Sequence, residues 1–250
     1  YVCWLRVDIL FSYLVRSPVI VWSIACVIIF SVFSPSLNGP MVFDDQLNIV
    51  ENPKVAIHNL SYSSLKTALL SNESGRLKRI LPALSFGLNH YMAGGFENTF
   101  VFKITNLIVH IINFTLVFWL CISLWPMLRV DLGTEAPSPR RLLEKYVVLL
   151  AAFTALIWAL HPIQVTSVAY VVQRMTSMAG TFVLLGLCLF VLGRRRFEQN
   201  RTKGLLWMWT GVVVGTMFGL MCKENAALLP LYAAVIEFTL FSREWRRAPV

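Results

Sequence analysis

Residues 19–33, VIVWSIACVIIFSVF, carry no charged side chain, and stretches of similar character recur along the chain. About 20 apolar residues in a helix cross a hydrocarbon core of about 30 Å. In lipid every backbone N–H and C=O must be satisfied internally, so such a stretch has to be helical. Six stretches qualify as candidate spans: 18–37, 104–125, 146–160, 176–193, 205–222 and 226–241. The third and sixth are short, and the sixth contains Pro230 and Glu237. The first lacks a small-residue cleavage site and reads as a span rather than a signal peptide. Composition agrees, at 57% hydrophobic and 14% charged residues over 250. A soluble domain carries about 25% charged residues, and a disordered chain is poorer still in apolar ones. The expected fold class is an all-α polytopic membrane protein with about six transmembrane helices.

The net charge of +9 could serve nucleic acid, but in a membrane protein basic residues mostly mark cytoplasmic loops. Arg6 and Arg16 precede the first span. Arg129, Arg140, Arg141 and Lys145 separate the second and third. Arg194, Arg195, Arg196, Arg201 and Lys203 separate the fourth and fifth, and Arg243, Arg246 and Arg247 follow the sixth. All four groups fall on one face, which the positive-inside rule makes cytoplasmic, with both termini inside. The opposite face holds a long loop, roughly 38–103, and two short ones near 161–175 and 223–225. Asn59 followed by LSYSSLKTALL predicts a capped amphipathic helix in the long loop. RLKRILPALSFGLNHYM predicts a second, ended by the turn Gly94-Gly95. Residues 1–250 are expected to form one transmembrane domain, with 37–103 as its extracytoplasmic loop. The chain opens on Tyr1 rather than Met and is expected to be a piece of a longer protein.

The outer face collects the residues that could carry chemistry. Asp44-Asp45 begin the long loop within MVFDDQLNIVENP. Two carboxylates at a membrane edge could supply a general base or a metal ligand set. They could equally be a solvated turn, which Asp favours. Lys103, Asn106, His110 and Asn113, spaced three, four and three apart, share one face of the second span. Polar groups at that depth line a cavity or hold helices together by hydrogen bonds. His161 and Pro162 close the third span, Gln173 and Arg174 precede the fourth, and Lys223 and Glu224 open the sixth. Arg79, Lys103, Arg174 and Lys223 thus bring cations to the outer rim, where they could hold a phosphate or anchor to headgroups. No metal-binding spacing is present among the four histidines, and no metal is implied. Cys26, Cys121, Cys188 and Cys222 read as small packing residues. Asn59-Leu60-Ser61 and Asn72-Glu73-Ser74 are sequons in the outer loop.

Five segments occur in order: FDDQLNIVENP, RILPALSFGLNHYMAGG from Arg79, KITNLIVHIIN from Lys103, LHPIQVTSVAYVVQR ending at Arg174, and KENAALLP from Lys223. Together, over most of residues 37–240, they resemble the transmembrane, TPR-containing O-mannosyltransferases and their bacterial relatives. The resemblance implies a GT-C-like glycosyltransferase fold with its site on the extracytoplasmic side. Further spans and a soluble TPR array would follow residue 250. It implies a polyprenyl-phosphate sugar donor, a mannose-like sugar, a protein Ser or Thr acceptor and no cofactor. Asp44, with Asp45 beside it, would supply the catalytic carboxylate. Arg79, Lys103, Arg174 and Lys223 would bind the donor phosphate, and Asn106, His110, His161, Gln173 and Glu224 would line the substrate cavity. Membrane lipids and other subunits of a membrane complex are the remaining expected partners, and nucleic acid is not one. The expected location is a bacterial inner membrane with the site facing the periplasm, or the endoplasmic reticulum membrane in a eukaryote. The competing readings are a non-catalytic glycosyltransferase-like subunit or scaffold, and a transporter, whose inverted repeats and broken helices are not evident. The transferase reading predicts that Asp44, Arg174 and Lys223 face one outward cavity within roughly 10 Å.

Overall fold

A computed structural model describes residues 17–72, 79–125 and 146–241. These residues form nine α-helices and several short helical turns, with no strand among them. The helices are α1 (Pro18–Phe33), α2 (Tyr62–Leu69), α3 (Ile80–Ala93), α4 (Thr99–Leu124), α5 (Val147–Ala159), α6 (Val165–Ala169), α7 (Arg174–Phe197), α8 (Arg201–Leu220) and α9 (Leu229–Ile236). Five stretches are long and apolar enough to cross a membrane: Pro18–Ser36, Thr99–Leu124, Val171–Phe197, Arg201–Leu220 and Glu224–Phe241. The chain is an all-α, polytopic integral membrane protein.

Helix α4, 26 residues and so about 39 Å long, is the central post. Its buried stripe of Phe102, Asn106, Leu107, His110, Asn113, Phe114 and Phe118 follows helical spacing. Helices α1 and α5 pack against its C-terminal half through Ala25, Ile29, Phe33, Ala151, Ala155 and Ala159. Most of the large apolar side chains of α1, among them Val19, Ile24, Val27 and Val32, point outward, as expected of a lipid-facing helix. Helices α7 and α8 form a hairpin whose backbones nearly touch. A Cβ at Gly204 would lie 2.5 Å from Phe197 Cα, and one at Gly211 would lie 2.7 Å from the Gly186 carbonyl. Gly211→Leu is therefore expected to overpack the hairpin and cost about 1–3 kcal/mol or more, read as a lower melting temperature in detergent.

Three expectations need correction. The third span is only 13 residues long as α5, about 20 Å. It breaks at His161-Pro162 and turns 59° into residues 162–169. Pro162 starts the new turn because it has no N–H to continue the old helix. It is a sixth span only if that bent pair is taken together. The fourth span is longer than 176–193, because Arg174 and Arg194–Arg196 sit within its helical ends. In the loop between α1 and α3 the cap of α2 is Ser61, whose Oγ accepts from the Ser64 N–H at 3.3 Å, and not Asn59. Asn59 Oδ1 braces that cap by accepting from the Ser61 N–H and the Ser64 hydroxyl.

The cations at Arg194–Lys203 lie at one end of the α7–α8 hairpin, and Arg174 and Lys223 at the other. The other three basic groups used to orient the chain lie outside the described residues.

Candidate functional site

The two adjacent aspartates part company. Asp45 is fully buried. Its Oδ1 accepts from the Val172 N–H at 2.7 Å, and its Oδ2 from the N–H groups of Val171 and Val42, each at 3.2 Å. Burial pushes its carboxyl above the ordinary aspartate value, while the three amides and the charge of Lys103 pull it back. Asp45 thereby ties the start of the loop after α1 to the segment between α6 and α7. Asp44 is exposed. Its own N–H donates to the Tyr170 hydroxyl at 3.1 Å, and its carbonyl accepts from Asn48 Nδ2 at 2.9 Å. Phe43 ahead of it holds φ 49°, a left-handed conformation, and meets the Tyr170 ring edge to face at 6.0 Å. Burial first, and the nearby aspartates after it, raise the Tyr170 hydroxyl's pKa, which the bond from the Asp44 N–H partly offsets.

Beneath this turn lies a buried polar network. Asn106 Nδ2 donates to the carbonyls of Val168, Tyr170 and Val171. Its Oδ1 accepts from Arg174 Nε at 2.7 Å. Arg174 also donates to the Ser85 hydroxyl at 3.0 Å and the Phe102 carbonyl at 2.7 Å, and lies over the Phe86 ring at 4.7 Å. It is wholly enclosed. Lys103 is also buried, and donates to the Pro40 carbonyl at 2.9 Å. His110 sits deeper, its Nε2 2.9 Å from the Ala159 carbonyl, between Trp158 and Phe33. Asn113 donates to the Ser177 carbonyl and accepts from Thr181. The shared face of α4 thus turns inward, where Asn106, His110 and Asn113 tie α4 to its neighbours and Lys103 holds the loop at Pro40.

A second cluster sits beside the start of α7. Lys223 Nζ donates to Thr176 Oγ1 at 2.7 Å, and that hydroxyl donates to Gln173 Oε1 at 2.8 Å. Arg79, at φ 44°, pairs with Glu224 at 3.4 Å and donates to Met175 Sδ at 3.5 Å. Its Nε is buried without a hydrogen-bond partner among the described residues. Two residues further on, Leu81 begins a groove of about 380 Å³ that runs between α7 and α8 past Met178, Phe182, Val214 and Phe218. Every residue lining the groove is apolar or glycine.

The residues expected to share one site therefore sort into two groups on either side of the segment 170–176. Asp44, Asp45, Asn106, Lys103 and Arg174 form one group, and Gln173, Lys223, Arg79 and Glu224 the other. Arg174 does not face an outward cavity with Asp44 and Lys223, because it is fully buried among Asn106, Ser85 and Phe102, to which it donates. His161 stands apart on the surface, its Nδ1 accepting from the Ile163 N–H at 3.3 Å, and His110 belongs to the helix core. Among the described residues no set of three His, Cys, Asp or Glu side chains is placed to hold a metal ion. Sequence reasoning passed over Tyr170, Thr176, Ser85 and Phe43. Tyr170 lies inside one of the five segments quoted above, but its hydroxyl offers no spacing signal of its own.

No protein-family model matches the chain, and no solved structure matches it. Among curated proteins it is similar to protein O-mannosyl-transferase TMTC4 of Homo sapiens, at 26% identity over 220 residues. The match covers 84% of this chain and 28% of that protein. TMTC4 of Mus musculus matches at 26% over 221 residues, again 84% of this chain and 28% of the relative. Protein O-mannosyl-transferase Tmtc2 of Drosophila melanogaster matches at 27% over 217 residues, 85% of this chain and 21% of the relative. The chain thus spans less than a third of the length of these relatives, and over most of its own length it is similar to proteins named as O-mannosyl-transferases acting on protein.

Proposed function

We propose that this chain is the catalytic membrane region of a glycosyltransferase. It would move a mannose-like sugar from a polyprenyl-phosphate donor to a Ser or Thr hydroxyl of a protein, on the extracytoplasmic side. The observation that carries this reading is the splitting of the acidic pair. Asp45 is locked as an anchor, and Asp44 is held exposed, its N–H bonded to Tyr170 of the segment 170–176, whose Thr176 meets Lys223 and whose Met175 meets Arg79. In the proposed reaction the Asp44 carboxylate takes the acceptor hydroxyl's proton. The acceptor oxygen bonds to the anomeric carbon as that carbon's bond to the phosphate oxygen breaks. The electron pair leaves with the polyprenyl phosphate, and the sugar inverts. Lys223 and Arg79 would stabilise the leaving phosphate. The apolar groove that begins at Leu81 would take the polyprenyl tail. No cofactor enters this scheme. The site would face the periplasm in a bacterial inner membrane, or the lumen of the secretory pathway in an animal cell like those of the three relatives.

The test is transfer of labelled mannose from polyprenyl-phosphate mannose to a Ser/Thr peptide by the purified protein in nanodiscs. Transfer that requires Asp44 supports the reading, and no transfer overturns it. A pH dependence follows as well. Burial, and next the Arg79 charge, hold the Lys223 ammonium below the ordinary lysine range, with Glu224 pulling the other way. Donor binding needs the charged form, so the donor KM is expected to rise on the alkaline side before an ordinary lysine would lose its proton. Lys223→Arg should move that rise to higher pH.

The second reading is a non-catalytic subunit or scaffold in a larger membrane complex. It is favoured by one observation: Asp45, Lys103 and Arg174 are all spent on internal bonds.

A further inference from the structure

Phe43 is 84% exposed and holds a left-handed backbone, a combination that a bulky apolar residue does not adopt without cause. The conformation is enforced from both sides. The Val42 N–H is held by Asp45 and the Asp44 N–H by Tyr170. The Asp45 and Gln46 N–H groups close turns onto the carbonyls of Val42 and Phe43, each at 3.1 Å. A glycine would adopt this φ without strain. The ring contributes little to folding, since its recorded ring contact is the edge-to-face one with Tyr170. Leu47, four residues on, is 69% exposed and extends the apolar surface beside Asp44.

We propose that Phe43, backed by Tyr170, is the acceptor-binding residue of this site, and that it selects peptides with an apolar side chain next to the reacting hydroxyl. This rests on the transferase reading above and deepens it. The patch sets the apolar carbon of Phe43 and Leu47 beside the exposed Asp44 carboxylate. A sugar's hydroxyls need a ring of hydrogen-bonding groups, whereas an extended peptide needs apolar contact and a base at its hydroxyl.

Two peptides test it, one with threonine between leucines and one with threonine between serines, with polyprenyl-phosphate mannose as donor. The leucine peptide is expected to have the lower KM. Phe43→Ala should raise that KM about tenfold, the scale of losing part of one ring's apolar burial, and erase the preference, with kcat little changed. Phe43→Tyr should restore it. Phe43→Gly should keep or raise the melting temperature while losing the preference, which separates binding from folding. An unchanged KM in Phe43→Ala overturns the proposal. Labelling adds a readout that needs no catalysis. A membrane-impermeant maleimide should modify Phe43→Cys, and the leucine peptide alone, without donor, should protect it. Labelling only by a lipid-soluble maleimide would place the side chain in the bilayer and overturn the proposal, as would lack of protection. If wild type transfers no sugar yet the peptide still protects, the transferase reading falls and the peptide subsite stands.

Discussion

Replacing Asp44 by asparagine is expected to slow sugar transfer by about 10²–10⁴-fold, the usual contribution of a positioned general base, while leaving the fold intact. The second half of that expectation comes from how Asp44 is held. Its main-chain N–H and C=O bond to Tyr170 and Asn48, and asparagine keeps both. The Asp44 side chain also hydrogen-bonds the Tyr170 hydroxyl, for which the asparagine oxygen can still accept. The side chain is exposed, so the substitution removes a negative charge without opening a cavity or stranding a buried partner. Melting temperature and yield in detergent should match wild type, and the loss should fall on kcat rather than on the KM for donor. Asp45→Asn is the internal contrast. There the carboxylate accepts three main-chain N–H groups, an amide offers only one acceptor oxygen, and the stranded donors cost stability. A pair of variants one residue apart should therefore separate chemistry from folding. Full-rate transfer by Asp44→Asn would remove the base from the proposed mechanism.

Hydropathy made most of the helices legible, because a bilayer leaves the backbone no other structure. The helix ends were harder to read. Arg174 and Arg194 look like loop residues on a hydropathy scale, yet both lie in α7. Arg174 is satisfied by polar groups, and Arg194 by Glu237 at 3.0 Å and the Phe241 ring at 4.9 Å. His161-Pro162 marked where the third span ends, but that the chain goes on in helical form beyond it, bent by 59°, depends on tertiary packing. At the site, helical spacing alone placed Lys103, Asn106, His110 and Asn113 on one face. Which aspartate of the pair turns inward could not be read, because the amides that decide it belong to Val171 and Val172, 126 and 127 positions away. For the same reason Arg174 looked like a free cation. Its partners come from α3 and α4, and no local pattern announces that a serine and a main-chain carbonyl will close on it.

Arg174 carries the second large expectation. Arg174→Ala should cost about 3–5 kcal/mol, the range for removing one partner of a buried charged network. It should lower the melting temperature on the order of 10 °C, taking roughly 2–4 °C per kcal/mol for a chain of this size. Three bonds vanish at once, leaving Asn106 Oδ1 and the Phe102 carbonyl without their donor and the Phe86 face uncovered. Asn106 in turn holds the carbonyls of Val168, Tyr170 and Val171, the segment whose amides hold Asp45 and so place Asp44. Activity should fall with the fold, as a consequence of lost positioning. Arg174→Lys keeps the charge but not the planar fork that reaches Asn106, Ser85 and Phe102 together, so it should recover only part of the stability. A guanidinium serving the donor phosphate would behave otherwise. Its removal would leave melting unchanged and raise the donor KM, and that result would return Arg174 to the phosphate and leave the buried network without its assigned role.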